Sequence, residues 1–238
     1  MRDLLVITPS RGRPQRLRTM LDACLELSGP GTDIAIGCDD DDVDRYREIA
    51  ARFADRGHVR WFRASRIRWA RWTNELASLY TRFDGEPVRY RAFASLGDDH
   101  IPRTQDWDRL LLEAIDRMGG TGIAYGDDLN VRERLPTAAV ISADIVEALG
   151  WICEPSLRHM YADNVWRDIG RGAECLAYLP EVVIEHVHWR AGKAPPDRVY
   201  IEAEECTNAD KAAYERWRAQ RMADDVKKVQ ALREAIRP

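Results

Sequence analysis

The sequence predicts an α/β fold with a mixed, mainly parallel sheet flanked by helices, and three observations support this class. Short apolar runs of strand length alternate with longer segments whose apolar residues recur every three or four positions. Clusters of glycine and proline separate these segments. The 238 residues are enough for one large domain with a sizeable core. Alternating strands and helices of this kind are typical of parallel sheets.

The first half of the chain repeats the strand-then-helix pattern. The opening run DLLVIT is almost wholly apolar, as expected of a buried strand, and the loop PSRGRP follows it. Apolar residues then recur at helical spacing up to Leu27, and Gly29 marks the helix end. The predicted elements up to residue 118 are strands at 3–8, 33–38, 58–62 and 88–96, and helices at about 17–27, 43–54, 69–83 and 107–118.

The second half departs from this alternation and predicts some antiparallel pairing. Residues 208–236 contain no glycine or proline, which predicts one long C-terminal helix or two nearly continuous ones. The apolar stripe of this segment is expected to dock on its own domain or on a second copy of the chain, as in a homodimer. The other predicted elements are strands at 122–125, 137–141 and 182–188, helices at 142–149 and 162–171, and a loop at 191–197.

The composition excludes several classes of protein. Charged residues make up 32% of the chain and the net charge is −4, which does not indicate a polyanionic partner. The five cysteines lie far apart, so neither a zinc knuckle nor a disulfide framework is predicted. No P-loop, GxGxxG or GxSxG motif occurs. No apolar run reaches the length of a signal-peptide core or a membrane span, so we expect a cytoplasmic protein with no membrane partner.

The strongest chemical signal is the turn at residues 97–100 (GDDH), which follows a predicted strand. The adjacent carboxylates of Asp98 and Asp99 repel each other unless a cation or hydrogen-bond donors stabilise both. Ligands of open α/β sheets bind outside the carboxyl ends of strands, and carboxylates with the imidazole of His100 suit Mg²⁺ or Mn²⁺. The alternative is a solvated turn that caps a helix.

A pair of histidines occurs late in the chain. His186 and His188 are two residues apart on a predicted strand, so their side chains should share one face. One or both could therefore reach a metal shared with the acidic turn. For either histidine taken alone, a place in the core is the alternative.

The second predicted strand ends in four aspartates at residues 39–42. Asp41 and Asp42 suit the first turn of the following helix, where carboxylates interact favourably with the helix dipole. Asp39 lies just past the strand and could instead accept a hydrogen bond from a base N–H group. We therefore expect a nucleotide contact at Asp39.

Five arginines between residues 60 and 71 alternate with aromatic residues. This pattern also suits nucleic-acid binding, although a solvated arginine face is the simpler interpretation for most of them. Arg66 and Arg68, with Arg11 and Arg13 of the first loop, lie in loops where they could clamp a diphosphate.

The order of these motifs along the chain resembles that of the GT-A glycosyltransferases. The resemblance is greatest to the large family 2 type and its small phage or bacterial relatives. The resemblance covers about residues 3–200. It rests on the PSRGRP loop, Asp39, the arginine-rich loop that runs into Asn74 and Glu75, the GDDH turn, Asp163, and His186 with His188.

The resemblance implies a metal-dependent transfer of a sugar from a nucleoside diphosphate sugar, with a UDP-sugar favoured, to an unknown acceptor. It implies a glycosyltransferase domain at 1–200, with a nucleotide-binding half at 1–100 and an acceptor half at 101–200, and a helical extension at 201–238. Asp163 would be the catalytic base that deprotonates the acceptor. The implied Mn²⁺ or Mg²⁺ ligands are Asp99, His100, His186 and His188, and the implied donor-binding residues are Pro9, Ser10, Arg11, Asp39, Arg68, Asn74 and Asp98.

The sequence departs from the family pattern at two positions. Gly97 stands where a DxD motif begins with aspartate, and Ala162 stands where an acidic residue usually precedes Asp163. Read as DxH, residues 98–100 with a downstream histidine resemble the metal site of retaining polypeptide N-acetylgalactosaminyltransferases, which leaves the stereochemistry open. The alternative functions are a sugar nucleotidyltransferase, or a non-enzymatic module that binds nucleic acid or protein through residues 60–72.

Overall fold

The computed structural model describes residues 2–81 and 90–236. Within these residues eight strands form one sheet, in the order β3-β2-β1-β4-β7-β6-β8-β5. Their bounds are Arg2–Pro9 (β1), Thr32–Asp39 (β2), Val59–Ala64 (β3), Tyr90–Ser95 (β4), His100–Pro102 (β5), Ile123–Asp127 (β6), Val140–Ser142 (β7) and Leu176–His186 (β8).

Helices cover both faces of this sheet. Their bounds are Pro14–Leu27 (α1), Arg47–Arg52 (α2), Trp69–Thr81 (α3), Trp107–Arg117 (α4), Ala143–Leu149 (α5), Ala162–Gly172 (α6), Arg198–Glu205 (α7), Thr207–Gln220 (α8) and Met222–Ile236 (α9). Short 3₁₀ turns at Val43–Tyr46, Arg132–Arg134 and Trp189–Ala191 join some of them.

The mixed, mainly parallel sheet that the sequence predicts is confirmed. Strands β3, β2, β1 and β4 are parallel neighbours, as expected when each strand is followed by a helix that returns the chain to the same edge. The antiparallel pairing of the second half comes from β7, which lies between β4 and β6, and from β5, which pairs with β8.

Alternate residues of β1 belong to two separate cores, one on each face of the sheet. Leu4 and Val6 are fully buried in a cluster with residues of α1, α2 and α4. Leu5 and Ile7 are fully buried in the other cluster, which contains residues of α3, α5, α6, α8 and α9. A strand buried on both faces reads as a continuous apolar run, which is why DLLVIT shows no polar alternation.

Two strand predictions required correction. Residues 100–102 are not a simple turn but form β5, which pairs with β8 in antiparallel register. The strand predicted at 182–188 starts earlier, at Leu176, and ends at His186. Its register against β6 shifts between Gly126 and Asp127, and Pro180, which has no N–H to donate, lies on β8 at this irregularity.

The helices also differ from the sequence-based expectation. The helix predicted at about 43–54 begins as a 3₁₀ turn and becomes α2 only at Arg47. Helix α7 follows the predicted loop at 191–197 and was not expected. The C-terminal segment follows the second of its two predicted alternatives, since it forms two nearly continuous helices, α8 and α9, which meet at Arg221. The predicted helix end at 82–83, the predicted strand start at 88–89 and the last two residues of the chain lie outside the described residues.

The apolar stripe of the C-terminal segment packs within the chain. Helix α9 contacts α5 and α6, and both Trp217 of α8 and Val229 of α9 are buried there. The stripe that suggested a homodimer is therefore covered by the chain's own domain. Helix α7 runs across the predicted boundary at 200/201, and the division into two domains stays a prediction.

Candidate active site

A cavity of about 370 Å³ opens at the edge of the sheet where β1, β2 and β4 end. The loop after β1 is held there because Ser10 N–H donates to the carbonyl of Gly37 on β2 at 2.9 Å. Of the predicted site residues, eleven line the cavity: Pro9, Ser10, Arg11, Asp39, Arg68, Asp98, Asp99, His100, Asp163, His186 and His188.

The twelfth, Asn74, does not line the cavity, and its predicted place near the donor stays a prediction. Its side-chain oxygen accepts hydrogen bonds from the N–H groups of Ile152 at 3.0 Å and Cys153 at 2.8 Å. Its amide nitrogen donates to the carbonyl of Cys153 at 2.7 Å. Asn74 therefore ties α3 to the chain that follows α5, and its amide is fully used in doing so.

Asp39 lies at the end of β2 and is buried. Its carboxylate accepts hydrogen bonds from Trp72 Nε1 at 2.8 Å, from Arg11 at 2.7 Å and from the N–H of Ile67 at 3.3 Å. The indole reaches Asp39 because Gly37 has no side chain, since a Cβ at that position would lie 2.7 Å from the ring of Trp72. Asp39 is thus a buried carboxylate, at one end of the cavity, whose partners are all N–H donors.

The GDDH turn is closed by its own backbone and one histidine. Gly97 N–H donates to His100 Nδ1 at 3.0 Å, and His100 N–H donates to the carbonyl of Gly97 at 3.0 Å. A Cβ at Gly97 would lie 2.7 Å from Asp99 Oδ1 and 3.0 Å from His100 Nδ1. Only glycine fits at position 97 beside these two side chains, which explains why this position is not the aspartate that begins a DxD motif.

Asp98 points toward the first loop. It accepts hydrogen bonds from Ser10 Oγ at 2.7 Å and from Arg13 at 3.2 Å. Burial raises the pKa of Asp98 to about 6, with the charge of Asp99 acting in the same direction and Arg13 opposing it. Arg13 is itself buried and pairs with Asp197 through two hydrogen bonds of 2.7 and 2.8 Å. Asp98 therefore helps to hold the loop through Ser10 and Arg13.

The two oxygens of Asp99 have different surroundings. Oδ1 lies 3.5 Å from His100 Nδ1 and 3.6 Å from His186 Nε2. Oδ2 accepts a hydrogen bond from the hydroxyl of Tyr200 at 2.8 Å and lies 3.7 Å from Arg13. Burial alone would raise the pKa of Asp99, but the close approach of His186 and the positive charge of Arg13 lower it. Asp99 is therefore an ionised carboxylate.

Strand register brings the two histidines together. His100 of β5 pairs directly with His186 of β8, and their rings stack with centroids 4.1 Å apart. Burial lowers the pKa of His100 to about 3, so its ring is neutral, as a metal ligand must be. For His186, burial acts to lower the pKa, but the carboxylate of Asp99, 3.6 Å away, raises it.

Asp99, His100 and His186 can together hold a metal ion. One ligand atom from each residue lies within 4.8 Å of the others. His100 Nε2 is buried and has no hydrogen-bond partner in residues 2–81 and 90–236. An unsatisfied buried nitrogen is costly unless a ligand completes it, so the donor set fits a divalent cation.

His188 is not part of this group. Its Nδ1 accepts a hydrogen bond from Arg190 N–H at 3.2 Å, and its ring lies 4.6 Å from that of Tyr200. Burial lowers the pKa of His188 to about 4. His188 lies two residues beyond the end of β8, although its ring still lies 4.9 Å from that of His186, and its place among the metal ligands stays a prediction.

Asp163 lies in the first turn of α6 and lines the same cavity. The residue at the helix cap is Tyr161, in the left-handed conformation with φ of 71°. In the described part of the chain the carboxylate of Asp163 makes no hydrogen bond or ion pair, so it does not cap the helix. Burial raises the pKa of Asp163 to about 7, with the charge of His186 opposing the rise. A carboxyl group with such a pKa can accept a proton near neutral pH.

The C-terminal helices supply residues that the sequence did not identify. Asp197 and Tyr200, at the start of α7, contact Arg13 and Asp99. Asp210 of α8 is buried and accepts hydrogen bonds from three successive N–H groups, those of residues 158 to 160, at 2.8 to 3.0 Å. These bonds fix the loop that leads to Asp163. Only Asp197 had a recognisable signal, as an N-cap aspartate after two prolines.

Most arginines around the cavity are neutralised. Arg11, Arg13, Arg66 and Arg190 each have a carboxylate within 4.0 Å. Arg68 and Arg158 also line the cavity but have no carboxylate that close among the described residues. In the arginine run at 60–71, the paired residues are Arg63 with Asp40, Arg66 with Glu202, and Arg71 with Glu75, so the run is not an open basic surface.

No protein-family model matches the sequence, and no curated protein matches it significantly. The fold is similar to that of solved structures. TarS from S. aureus aligns with a TM-score of 0.59 at 9% identity over 78% of this chain, which spans 37% of TarS. The mannosyltransferase PcManGT from Pyrobaculum calidifontis, in complex with GDP-Man and Mn²⁺, aligns with a TM-score of 0.58 at 12% identity over 97% of this chain and 74% of its own.

Both structural neighbours are of the GT-A type, and the chain therefore has the GT-A glycosyltransferase fold. A 4-diphosphocytidyl-2C-methyl-D-erythritol synthase from Anaerococcus prevotii aligns with a TM-score of only 0.43, which is too low to support an argument. Among the described helices, none combines the length and the apolar character that crossing a bilayer requires.

Proposed function

We propose that this protein is a metal-dependent glycosyltransferase that moves a sugar from a nucleoside diphosphate sugar to an acceptor. The observation that carries the proposal is the arrangement of three groups in one cavity. These are Asp39, the cluster of Asp99 with His100 and His186, and the unpaired carboxyl group of Asp163. The fold supports it, since PcManGT is a mannosyltransferase in complex with GDP-Man and Mn²⁺.

Asp39 is the proposed contact for the base of the donor. A buried carboxylate that already accepts three N–H donors can exchange one of them for a base N–H. Arg11 is the exchangeable donor, because it also pairs with the exposed Asp41. Uracil and guanine both carry a suitable N–H on their pairing edge, so UDP-sugars and GDP-sugars are the donors to test first.

The proposed metal ligands are Asp99, His100 and His186. A bound Mn²⁺ or Mg²⁺ supplies positive charge that stabilises the leaving nucleoside diphosphate. Two imidazoles in the donor set favour Mn²⁺, since Mg²⁺ prefers oxygen ligands and keeps several waters. Arg68 and Arg158 add positive charge, because no carboxylate of the described chain neutralises either of them.

Asp163 is the proposed general base of an inverting transfer. Its carboxylate has no competing hydrogen bond within the described residues and can accept the proton of an acceptor hydroxyl group as the sugar bond forms. Its pKa of about 7 leaves much of it ionised at neutral pH. A retaining transfer would not need this proton acceptor, so the anomeric configuration of the product tests the assignment.

The two alternative functions receive less support. Nucleotidyltransferases usually carry a lysine in a glycine-rich first loop, whereas here the first-loop residues Arg11 and Arg13 are both paired with carboxylates. A nucleic-acid module would need free cations along residues 60–72, where three of the five arginines are paired. No specific observation favours either function over sugar transfer.

A thermal-shift panel of nucleoside diphosphate sugars, with and without Mn²⁺, tests the proposal. One donor together with Mn²⁺ should stabilise the protein by about 2.7 kcal/mol at a ligand concentration of about 100 Kd. This corresponds to a Tm increase of about 5–10 °C for a chain of this size. No shift with any donor, together with steeply salt-dependent binding of nucleic acid, would contradict the proposal and favour a binding module.

A further inference from the structure

The position of Tyr200 gives this residue a role at the proposed metal site. We propose that Tyr200 is a positioning residue, which anchors Oδ2 of Asp99 and thereby keeps Oδ1 directed at the two histidines. Oδ1 faces His100 and His186, whereas Oδ2 receives the Tyr200 hydroxyl at 2.8 Å. This inference rests on the proposed function, because it assumes that the cluster holds a metal.

The place of Tyr200 is set by the start of α7. Asp197 caps this helix by accepting the N–H of Tyr200 at 3.1 Å. The same carboxylate pairs with Arg13, so the helix start is attached to the loop that follows β1. Tyr200 thus enters the site from the first turn of a helix that is fixed at its cap, and it is buried there.

The ring of Tyr200 is also held in place. The guanidinium group of Arg13 lies over the ring at 3.9 Å from its centroid, which is within the range of a cation–π contact. The ring of His188 packs against it on another side, with centroids 4.6 Å apart. Loss of the hydroxyl group alone would therefore leave the ring in its place.

The hydrogen bonds of the hydroxyl group direct its hydrogen to Asp99. Arg16 donates a hydrogen bond to the hydroxyl oxygen of Tyr200 at 2.6 Å, so this oxygen already acts as an acceptor. The single hydrogen can go to Asp99 Oδ2 at 2.8 Å or to the carbonyl of Val187 at 3.2 Å. The carboxylate is closer and charged, and hydrogen bonds to charged acceptors are the stronger ones.

Anchoring one carboxylate oxygen has a consequence for metal binding. A carboxylate that is free to rotate can offer both oxygens to a cation or turn away from it. With Oδ2 held by Tyr200, Asp99 presents a single oxygen beside the two imidazoles. Outer hydrogen bonds of this kind orient metal ligands, and their removal typically weakens metal affinity by about 10–100-fold.

The test is the Tyr200→Phe variant, which removes the hydroxyl group and keeps the ring. Mn²⁺ affinity is measured from the electron paramagnetic resonance signal of free Mn²⁺, with Mn²⁺ alone and again with UDP or GDP added. We expect the Kd for Mn²⁺ to rise by about tenfold or more. In the Co²⁺-loaded protein we also expect the visible absorption spectrum to change, because Asp99 can then bind through both oxygens.

Tyr214→Phe is the matched control. The hydroxyl of Tyr214 donates to Asp168 at 2.5 Å, and neither residue lines the cavity. Both variants remove one tyrosine-to-aspartate hydrogen bond, so both should lower the Tm by similar small amounts. Only Tyr200→Phe should change the Kd for Mn²⁺ and the Co²⁺ spectrum.

The outcomes separate this inference from the proposed function. If the wild-type protein binds no Mn²⁺, the metal site itself fails. If the wild type binds Mn²⁺ and Tyr200→Phe binds it equally well, the cluster stands and the positioning role is overturned. Tighter Mn²⁺ binding in Tyr200→Phe would also overturn it, because the hydroxyl would then compete with the metal for Asp99.

Discussion

Asp39 and Asp99 occupy equivalent places in the sheet but are surrounded in different ways. Each is a buried carboxylate at the carboxyl end of a parallel strand, since Asp39 is the last residue of β2 and Asp99 follows the last residue of β4 by four positions. The partners of Asp39 all lie within the first 72 residues of the chain. The partners of Asp99 include His186 and Tyr200, which lie 87 and 101 positions further along the chain.

This difference separates two parts of the site. The surroundings of Asp39 are built by consecutive strand–helix units, so the contacts of this carboxylate depend on local chain order. The surroundings of Asp99 are completed only when β8 and α7 pack against the turn at 97–100. The contacts of Asp99 are therefore sensitive to changes far away in the sequence, whereas those of Asp39 are all made by residues 11 to 72.

The largest effect is expected from Asp99→Asn. This change removes the negative charge that faces both histidines, while the side chain keeps its size. We expect turnover to fall by at least about 1000-fold, since metal and charge stabilisation of the leaving group is worth several kcal/mol. The Tm increase that Mn²⁺ produces in the nucleotide panel should also disappear. Near-normal turnover in this variant would remove Asp99 from the metal site.

Asp163→Asn should lower kcat by about 100-fold or more, because an amide cannot accept the acceptor proton. Asp163 is active when ionised and its pKa is raised to about 7, so wild-type activity should increase as pH rises through 7. Between pH 6 and 8 we expect an increase of about tenfold. The variant should lose this rising limb but keep the Mn²⁺-dependent thermal shift. A rising limb that persists in the variant would exclude Asp163 as the base.

Asp39→Asn makes the same chemical change as Asp99→Asn at the equivalent strand end, which makes the two a matched pair. We expect the KM for the donor to rise by about tenfold, since one hydrogen bond to a charged group is weakened. Mn²⁺ affinity should stay at the wild-type value, because the partners of Asp39 do not touch the metal cluster. A loss of Mn²⁺ binding in this variant would show that the two sides are not independent.

The smallest effect on turnover is expected from Asp210→Asn. Replacing one oxygen by an NH₂ group leaves some of the N–H groups of residues 158 to 160 without an acceptor. We expect a loss of about 2 kcal/mol in the free energy of unfolding, or a Tm decrease of about 4–8 °C. The control is Asp224→Asn on the exposed surface of α9, which should change Tm little. Equal Tm values for the two variants would contradict the anchoring role of Asp210.

The residues that could be predicted from the sequence are those at the carboxyl ends of the parallel strands. Asp39, Asp98 and Asp99 could be identified because parallel strands bring their carboxyl ends to one edge, whatever the details of packing. His186 could be paired with the acidic turn on chemistry alone. The stacking of His186 on His100 could not be predicted, because β5 is only three residues long and the register of β5 against β8 depends on tertiary contacts.

The differences between the predicted site and the observed cluster have definite physical causes. Asn74 was assigned to the donor site because it follows the arginine-rich loop, but the helix face it occupies is decided by packing against residues 152–153. Strand alternation predicts His188 beside His186, but β8 ends at His186, and the cluster of possible metal ligands in the described residues is Asp99, His100 and His186. Tyr200 was missed because a single aromatic residue in a short helix carries no periodic signal, and its partner is 101 positions away.

The contacts between Asp99 and Tyr200 also bear on when the site can form during protein synthesis. Strands β1 to β4 can pair as soon as the first 95 residues have left the ribosome, since their partners are all near in sequence. The carboxylate of Asp99 must wait for about 100 further residues, at a synthesis rate of about 5–20 residues per second. A nascent chain therefore carries Asp98 and Asp99 side by side for several seconds before Tyr200 reaches them. During that interval water, ions or a chaperone must stabilise the two charges that the finished protein stabilises itself.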